Sequence, residues 1–373
     1  LLVAACVVAL VDLNVTDPRR NVTFWLTQLS LAAVAFMHGL ALQTGLGTDG
    51  AAASVYGMQG MVVCDRMGHM LAMCAALAMM LTMAYARPYI GDRELLKGEF
   101  FTLSMFVLLG ISVMISATNF LVIYVGLELM SLSLYALVAL RRDHAVATEA
   151  AMKYFVLGAL ASGFLLYGMS MLYGATRSLD LSEVFEAIHT GQINATVLTF
   201  GVVFIVAGLG FKLGVVPFHM WVPDVYQGAP TAVTLLIAGA PKLAAFAIAI
   251  RLLVEGLSGL AHDWQQMLIV MSVLSMTIGN LAAIAQSNLK RMLAFSAIAQ
   301  LGFMLLGLTP TVIDANTESA ANGYSSAMFY VVTYVLTTLG TFGLIMYLSR
   351  SGFESDEISD LAGALKYVGP VAA

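Results

Sequence analysis

Four ionisable residues stand in apolar runs where water should not reach. Glu128 sits in the middle of Tyr-Val-Gly-Leu-Glu-Leu-Met-Ser-Leu, Lys212 follows Gly-Leu-Gly-Phe, and Lys242 follows Ala-Gly-Ala-Pro. Lys153 lies a few residues inside a run that begins near Thr148. A charge at mid-membrane opposes insertion by about 2.5–3.5 kcal/mol, so four oppose it by on the order of 10 kcal/mol. Such charges persist where they face the interior of a bundle and one another. An amine in a low-dielectric site holds its proton less tightly, and a nearby carboxylate restores the hold. A Glu–Lys pair whose separation changes would therefore switch a lysine between keeping and releasing a proton. Water between successive lysines would carry it on. Glu128, Lys212 and Lys242 are accordingly expected to form a proton relay. The competing reading of each is an ion pair that only fixes helix register. Lys153 has a further one, because its stem can snorkel to the interface.

The run around Lys212 is the most informative stretch. It reads Phe211-Lys-Leu-Gly-Val-Val-Pro-Phe-His-Met-Trp-Val-Pro-Asp224. Pro217 and Pro223 each lack a backbone donor, and their rings clash with the preceding turn. A helix cannot run straight through both, so a break is expected. In lipid a broken helix survives only inside protein or against a watery cavity. Transporters use such breaks to present helix ends and freed carbonyls to the transported ion. Lys212 precedes the first proline by five residues, and His219 lies between the two.

The elements that position these residues follow from composition. Of 373 residues, 60% are apolar and 10% charged, with a mean hydropathy of +0.89. Soluble domains carry about 25% charged residues. The length would suit two or three soluble domains, but the hydropathy predicts a single all-α membrane protein, a multi-helix bundle. Spans need about 20 mostly apolar residues. Eleven segments qualify: 1–13 (short), 24–42, 67–85, 100–116, 120–140, 147–172, 196–217 with a continuation to 226, 232–253, 264–285, 291–308 and 325–348. Odd-numbered connections hold Arg19, Arg20, Arg87, Arg93, Lys97, Arg141, Arg142, Lys290, Arg291, Arg350 and Lys366, eleven of the seventeen basic residues. Even-numbered connections and their edges hold only Arg66, Arg177 and Arg251. The positive-inside rule puts the odd connections in the cytoplasm, and orientation alone accounts for Lys290 and Arg291. The stretch 180–189 has apolar residues at helical spacing and predicts a short amphipathic helix at the outer interface.

Other chemistries find little support. The net charge is −5 and no basic run suits nucleic acid. Cys6, Cys64 and Cys74 show no metal-ligand or CxxC spacing and are read as packing residues, without disulfides or iron–sulfur clusters. His38 and His69 lie on separate spans and are read as hydrogen-bonded packing, not haem ligands. The 23 Met residues are core filler. No phosphate loop, dinucleotide fingerprint or nucleophile elbow occurs, so any redox chemistry belongs to a partner. The chain opens on Leu1 inside an apolar run and is read as a fragment lacking its start.

The stretches 126–135 (Gly-Leu-Glu-Leu-Met-Ser-Leu-Ser-Leu-Tyr), 148–158 (Thr-Glu-Ala-Ala-Met-Lys-Tyr-Phe-Val-Leu-Gly), 211–231 and 288–302 resemble the antiporter-like N subunits of bacterial NADH–quinone oxidoreductase, respiratory complex I. The resemblance covers essentially the whole chain. Paralogous L and M subunits share the Glu–Lys–Lys logic, but the first two stretches favour N. The resemblance implies inverted five-helix repeats with a broken seventh helix. Residues 1–99 would be the N-terminal helices 1–3, 100–255 the first repeat with the proton-uptake half-channel, and 256–373 the start of a second repeat. The broken helix of that second repeat, with the exit-side lysine, would follow Pro370. Residue by residue, Glu128 corresponds to the acidic partner, Lys212 to the paired lysine on the broken helix and Lys242 to the central relay lysine. His219 corresponds to the polar residue beside the break, and Lys153 to an additional lysine. The implied activity is that of an H+-translocating subunit of NADH:quinone reductase in the bacterial inner membrane. No cofactor would reside in this chain; NADH, FMN, iron–sulfur clusters and quinone would belong to partner subunits. The M, K and J subunits and the lipid bilayer are the implied partners. Two alternatives stay open: a subunit of a multi-subunit cation/proton antiporter or membrane-bound hydrogenase, and a membrane scaffold whose charges serve assembly alone.

Overall fold

The apolar runs become helices: α1 (Leu2–Asp12), α2 (Asn21–Thr44), α3 (Arg66–Gly91), α4 (Gly98–Ser116), α5 (Phe120–Val138), α6 (Ala145–Thr176), α7 (Leu181–Thr190), α8 (Ala195–Leu213), α9 (Trp221–Gly228), α10 (Thr231–Ala238), α11 (Ala240–Ala249), α12 (Ala261–Ile284), α13 (Leu289–Leu306) and α14 (Thr317–Leu348). This computed structural model describes residues 1–44, 54–190, 193–309, 317–349 and 352–362, without the side chains of 317–320. Arg350, Lys366 and Pro370 lie outside the described residues. Among the described residues, ten spans are long and apolar enough to cross a membrane, and α1 is a shorter apolar helix. The amphipathic stretch forms α7. One feature was not anticipated, a small antiparallel hairpin of β1 (Val55–Gly57) and β2 (Val62–Cys64).

Asx and His side chains begin several spans. Asp65, Asn119, His144, Asn194 and Asn288 each accept a hydrogen bond from the first turn of α3, α5, α6, α8 and α13. This satisfies donors that a helix start leaves free. Small residues then set the packing, as expected where lipid gives helices no hydrophobic reason to associate. A Cβ on Gly110 of α4 would stand 2.6 Å from the Met130 backbone nitrogen of α5, and one on Gly168 of α6 would stand 2.7 Å from the Gly201 carbonyl of α8. Backbones touch at both crossings.

The span Thr231–Gly256 is the axis of the bundle, buried along its whole apolar window. It was expected as one helix, 232–253, but it is interrupted. Gly239, with φ −95° and ψ −109°, separates α10 from α11, and α11 runs on into a π-helical turn at Ile250–Gly256. Pro241 explains the first interruption, since it has no N–H to return to residue 237 and its ring crowds that carbonyl.

Charged clusters hold this axis at both ends. At one end Arg251 is 2% exposed, pairs with Asp65 and Glu255 at 2.7 Å each, and donates to the Ile115 carbonyl. At the other end Glu354 takes two hydrogen bonds from Arg93, at 3.0 and 3.1 Å, and one from the Tyr89 hydroxyl at 2.6 Å. Burial opposes its ionisation, but those donors outweigh it and hold the carboxyl below the usual 4.5. Lys290 is not merely an orienting charge at the interface. It is 4% exposed, donates to the Ala229 carbonyl at 3.2 Å, and lies 3.3 Å from Asp356. One other expectation needs correction: Cys6 and Cys64 are exposed on the chain rather than packed. His38 and His69 are hydrogen-bonded, as expected, and to each other, with Nδ1 atoms 2.9 Å apart.

Candidate functional site

Helix α8 stops at Gly214, whose φ of +82° is the left-handed conformation that ends helices and that glycine adopts freely. A Cβ there would also meet Val222 at 2.7 Å. The chain crosses Val215, Val216 and a cis Pro217, then re-enters a helix at Trp221. The interruption therefore covers 214–220. Pro217 lies inside it. Pro223 does not, because it sits in the first turn of α9, where a missing N–H costs nothing.

The freed backbone groups of α8 are all the more exposed to charge because a helix C-terminus carries partial negative charge. The Phe211 carbonyl accepts from Trp221 Nε1 at 2.9 Å. The Leu213 carbonyl accepts from Lys242 Nζ at 2.8 Å. Val216 N–H donates to Ser275 Oγ at 2.9 Å. Lys242, 2% exposed and one turn past the Gly239 interruption, also lies 5.4 Å from the centre of the Trp221 ring. The other face of the site is aromatic, with Tyr154 stacked on Trp221 at 4.6 Å.

Lys212, in the last turn of α8, does not pair directly with Glu128. Its amine donates to Ser131 Oγ of α5 at 2.9 Å and Ser162 Oγ of α6 at 3.4 Å. Glu128 is within electrostatic range of that amine, but its buried Oε1 makes no hydrogen bond. The carboxylate and the two amines thus surround the interrupted end of α8 from α5, α8 and α11. His219 lies within the interruption, and its buried Nδ1 also lacks a partner. Lys153 is elsewhere. Its side chain is 44% exposed and bonds Asp224 and Glu149 at 2.8 Å each, with Arg291 completing the cluster on Asp224.

Sequence reasoning passed over Ser131, Ser162 and Trp221. Ser131 stands three residues after Glu128, so it shares a helix face with it, and that spacing was available. Ser162 and Trp221 join the site only through the packing of α6 and α9.

A bundle of interrupted apolar helices enclosing unpaired amines defines a class of ion-translocating membrane proteins. Residues 117–373 match the family described as NADH:quinone oxidoreductase/Mrp antiporter, transmembrane. The "NADH-quinone oxidoreductase subunit N" of Polaromonas naphthalenivorans (strain CJ2) is 63% identical over 364 residues, covering 97% of this chain and 71% of that protein. A chain of the respiratory complex I from Thermus thermophilus, solved with bound aureothin, is 30% identical and superposes with a TM-score of 0.78, covering 98% of this chain and 73% of that one. A chain of the Mrp complex from Dietzia sp. DQ12-45-1b superposes equally well, with a TM-score of 0.79 over 92% of this chain and 63% of that one. At 19% identity that likeness concerns the fold alone. The chain belongs to the NADH–quinone oxidoreductase subunit N family.

Proposed function

We propose that Glu128, Lys212 and Lys242 move the protons that this subunit translocates, with Ser131 and Ser162 holding the Lys212 amine between them. The chain is a proton-translocating, multi-pass inner-membrane subunit of NADH–quinone oxidoreductase and works among the other subunits of that complex. The observation that supports the relay reading is the meeting of Lys242 Nζ with the Leu213 carbonyl, one residue beyond Lys212 at the interrupted end of α8. The helix end stabilises the charged form of either amine, while burial favours the neutral form. Moving charge on Glu128 tips that balance at Lys212. A proton released there passes through water to Lys242, and the serine hydroxyls accept from the amine and donate onward. His219 and Lys153 take secondary places, His219 within the interruption and Lys153 away from it, with Asp224.

We further infer that residues 100–255 form one functional repeat and 256–373 the beginning of the next. NADH, FMN, iron–sulfur clusters and quinone are assigned to other subunits, and the M, K and J subunits are the proposed neighbours. A chain of an Mrp complex shares this fold, but the 63% identity favours subunit N over the antiporter and hydrogenase alternatives. The test is proton pumping by inverted membrane vesicles carrying Lys212→Ala or Glu128→Ala in a complex that still assembles. The relay reading expects pumping to collapse. Undiminished pumping overturns it, and lost assembly in both variants would favour a scaffold.

A further inference from the structure

Five tyrosines lie between the Glu128 site and the far side of the described bundle. Tyr135 is on α5, Tyr154 on α6, Tyr226 on α9, and Tyr330 and Tyr334 on α14. The Tyr135 and Tyr154 rings meet edge to face at 4.6 Å. Tyr154 stacks on Trp221 of α9, the helix that carries Tyr226, and the Tyr226 ring meets Phe342 of α14 at 6.2 Å, where Phe342 lines the same groove as Tyr334. At one end the Tyr135 hydroxyl is in electrostatic range of Glu128. At the other, Tyr330 and Tyr334 line a groove between α13 and α14 whose walls carry Ser296, Gln300, Thr333 and Thr337, and the Tyr330 hydroxyl donates to Gln300. The row therefore joins the acid of the first half to a hydroxyl-rich groove in the second.

Two hydroxyls in the row are buried without a well-formed hydrogen bond, Tyr226 Oη and Tyr135 Oη, the latter with the Ser131 hydroxyl nearby. Tyr226 is fully buried and Tyr135 is 7% exposed. A buried hydroxyl left unsatisfied costs about 1–3 kcal/mol, so such groups are normally served by ordered water. Neither position needs a phenol for packing alone, since phenylalanine would fill the same volume without the cost. Room is also kept for one of them: a Cβ on Gly158 would stand 2.0 Å from Tyr135 Oη.

We propose that Tyr135, Tyr154, Tyr226 and Tyr334, with water between them, form a lateral proton path from Glu128 to the groove between α13 and α14. Each phenol takes a proton onto its oxygen from the water behind it and gives its own O–H proton to the water ahead. One O–H bond forms as another breaks, and no phenolate accumulates. The hydroxyl then rotates back. The proposal rests on the relay reading of Glu128 and Lys212.

The test replaces Tyr135 and Tyr226 by Phe, singly and together, in the full-length subunit of the assembled complex. Proton pumping, NADH oxidation and the H2O/D2O rate ratio are measured in inverted vesicles, beside Lys212→Ala. Pumping by the double variant is expected to fall roughly tenfold, less than the ~10²-fold that a positioned acid–base group typically contributes, because water refills the gap. The H2O/D2O ratio should rise, which a packing role would not cause. Unchanged pumping with an unchanged isotope ratio, while Lys212→Ala abolishes pumping, overturns the tyrosine path and leaves the lysine relay standing. Full pumping in Lys212→Ala instead brings down the underlying relay, and the path with it. Failure of both single variants to assemble, after losing one oxygen each, marks the hydroxyls as structural and likewise overturns the proposal.

Discussion

An amine that is 2% exposed needs an acceptor wherever it sits, and Lys242 has found one in the Leu213 carbonyl. Lys242→Met keeps the length of the side chain but strands that carbonyl. Loss of a buried bond from a charged donor costs about 1.5–3 kcal/mol, so the melting temperature of the purified complex should fall as pumping stops. A variant that pumps normally would remove Lys242 from the path. Ser131 permits a finer test, because its hydroxyl holds Lys212 at 2.9 Å without carrying charge. Ser131→Ala should slow pumping by roughly tenfold, equivalent to about 1.4 kcal/mol, and Ser131→Thr should restore most of it. The charged members of this site were legible in the sequence, because a Glu or Lys inside an apolar run is costly enough to stand out. Its serines were not, since a hydroxyl on a membrane helix can satisfy itself on its own backbone, as Ser133 does with the Leu129 carbonyl.

Most helices were legible to within a few residues, since span length follows from bilayer thickness, but α3 runs six residues past its expected end and α14 begins eight before its expected start. Interruptions were legible only in part. Pro217 marked the break after α8, but Pro223 was credited with a role that its place in the first turn of α9 denies, and the interruption at Gly239 was missed although Pro241 was in view. Crossing geometry was hidden, because which glycines face one another depends on rotation about each helix. Gly110 tests that geometry. A methyl group there would press on the Met130 backbone, which has nowhere to move short of parting α4 from α5. Gly110→Ala should destabilise the subunit by about 1–3 kcal/mol, the usual cost of overpacking. Since Met130 lies two residues beyond Glu128, pumping should fall as well. Normal thermal stability would mean the two backbones are not in contact.

At the scale of the molecule, the proposed relay borders an axis fastened at both ends by charges distant in sequence. At one end Glu354 is held below its usual range, so the fold favours the ionised form. That contribution is complete above the ordinary value of 4.5 and fades as pH falls through the lower, folded value. Glu354→Gln should therefore speed hydrogen exchange in 352–362 at pH 7, and the difference from wild type should shrink near pH 4. A difference that persisted there would assign the effect to shape rather than charge. Lys290 joins the same fastening through Asp356, which explains why its burial could not be read from its own neighbourhood.

The fastening at Arg251 makes the sharper case, because Arg251 is far more buried than the two carboxylates it serves, with Asp65 17% and Glu255 41% exposed. Removing the arginine leaves two acids facing each other beside the N-terminus of α3. Breaking a pair from one side costs about 3–5 kcal/mol where the charge left behind is buried, and less here because Asp65 and Glu255 are partly solvated. Arg251→Leu should therefore lower the amount of assembled complex. Adding Asp65→Asn should recover part of it by relieving the acid left nearest α3. The fastening holds the axis rather than passing protons, so the complexes that do assemble should keep their normal ratio of protons pumped to NADH oxidised. A reduced ratio in those complexes would move Arg251 out of the scaffold and into the path.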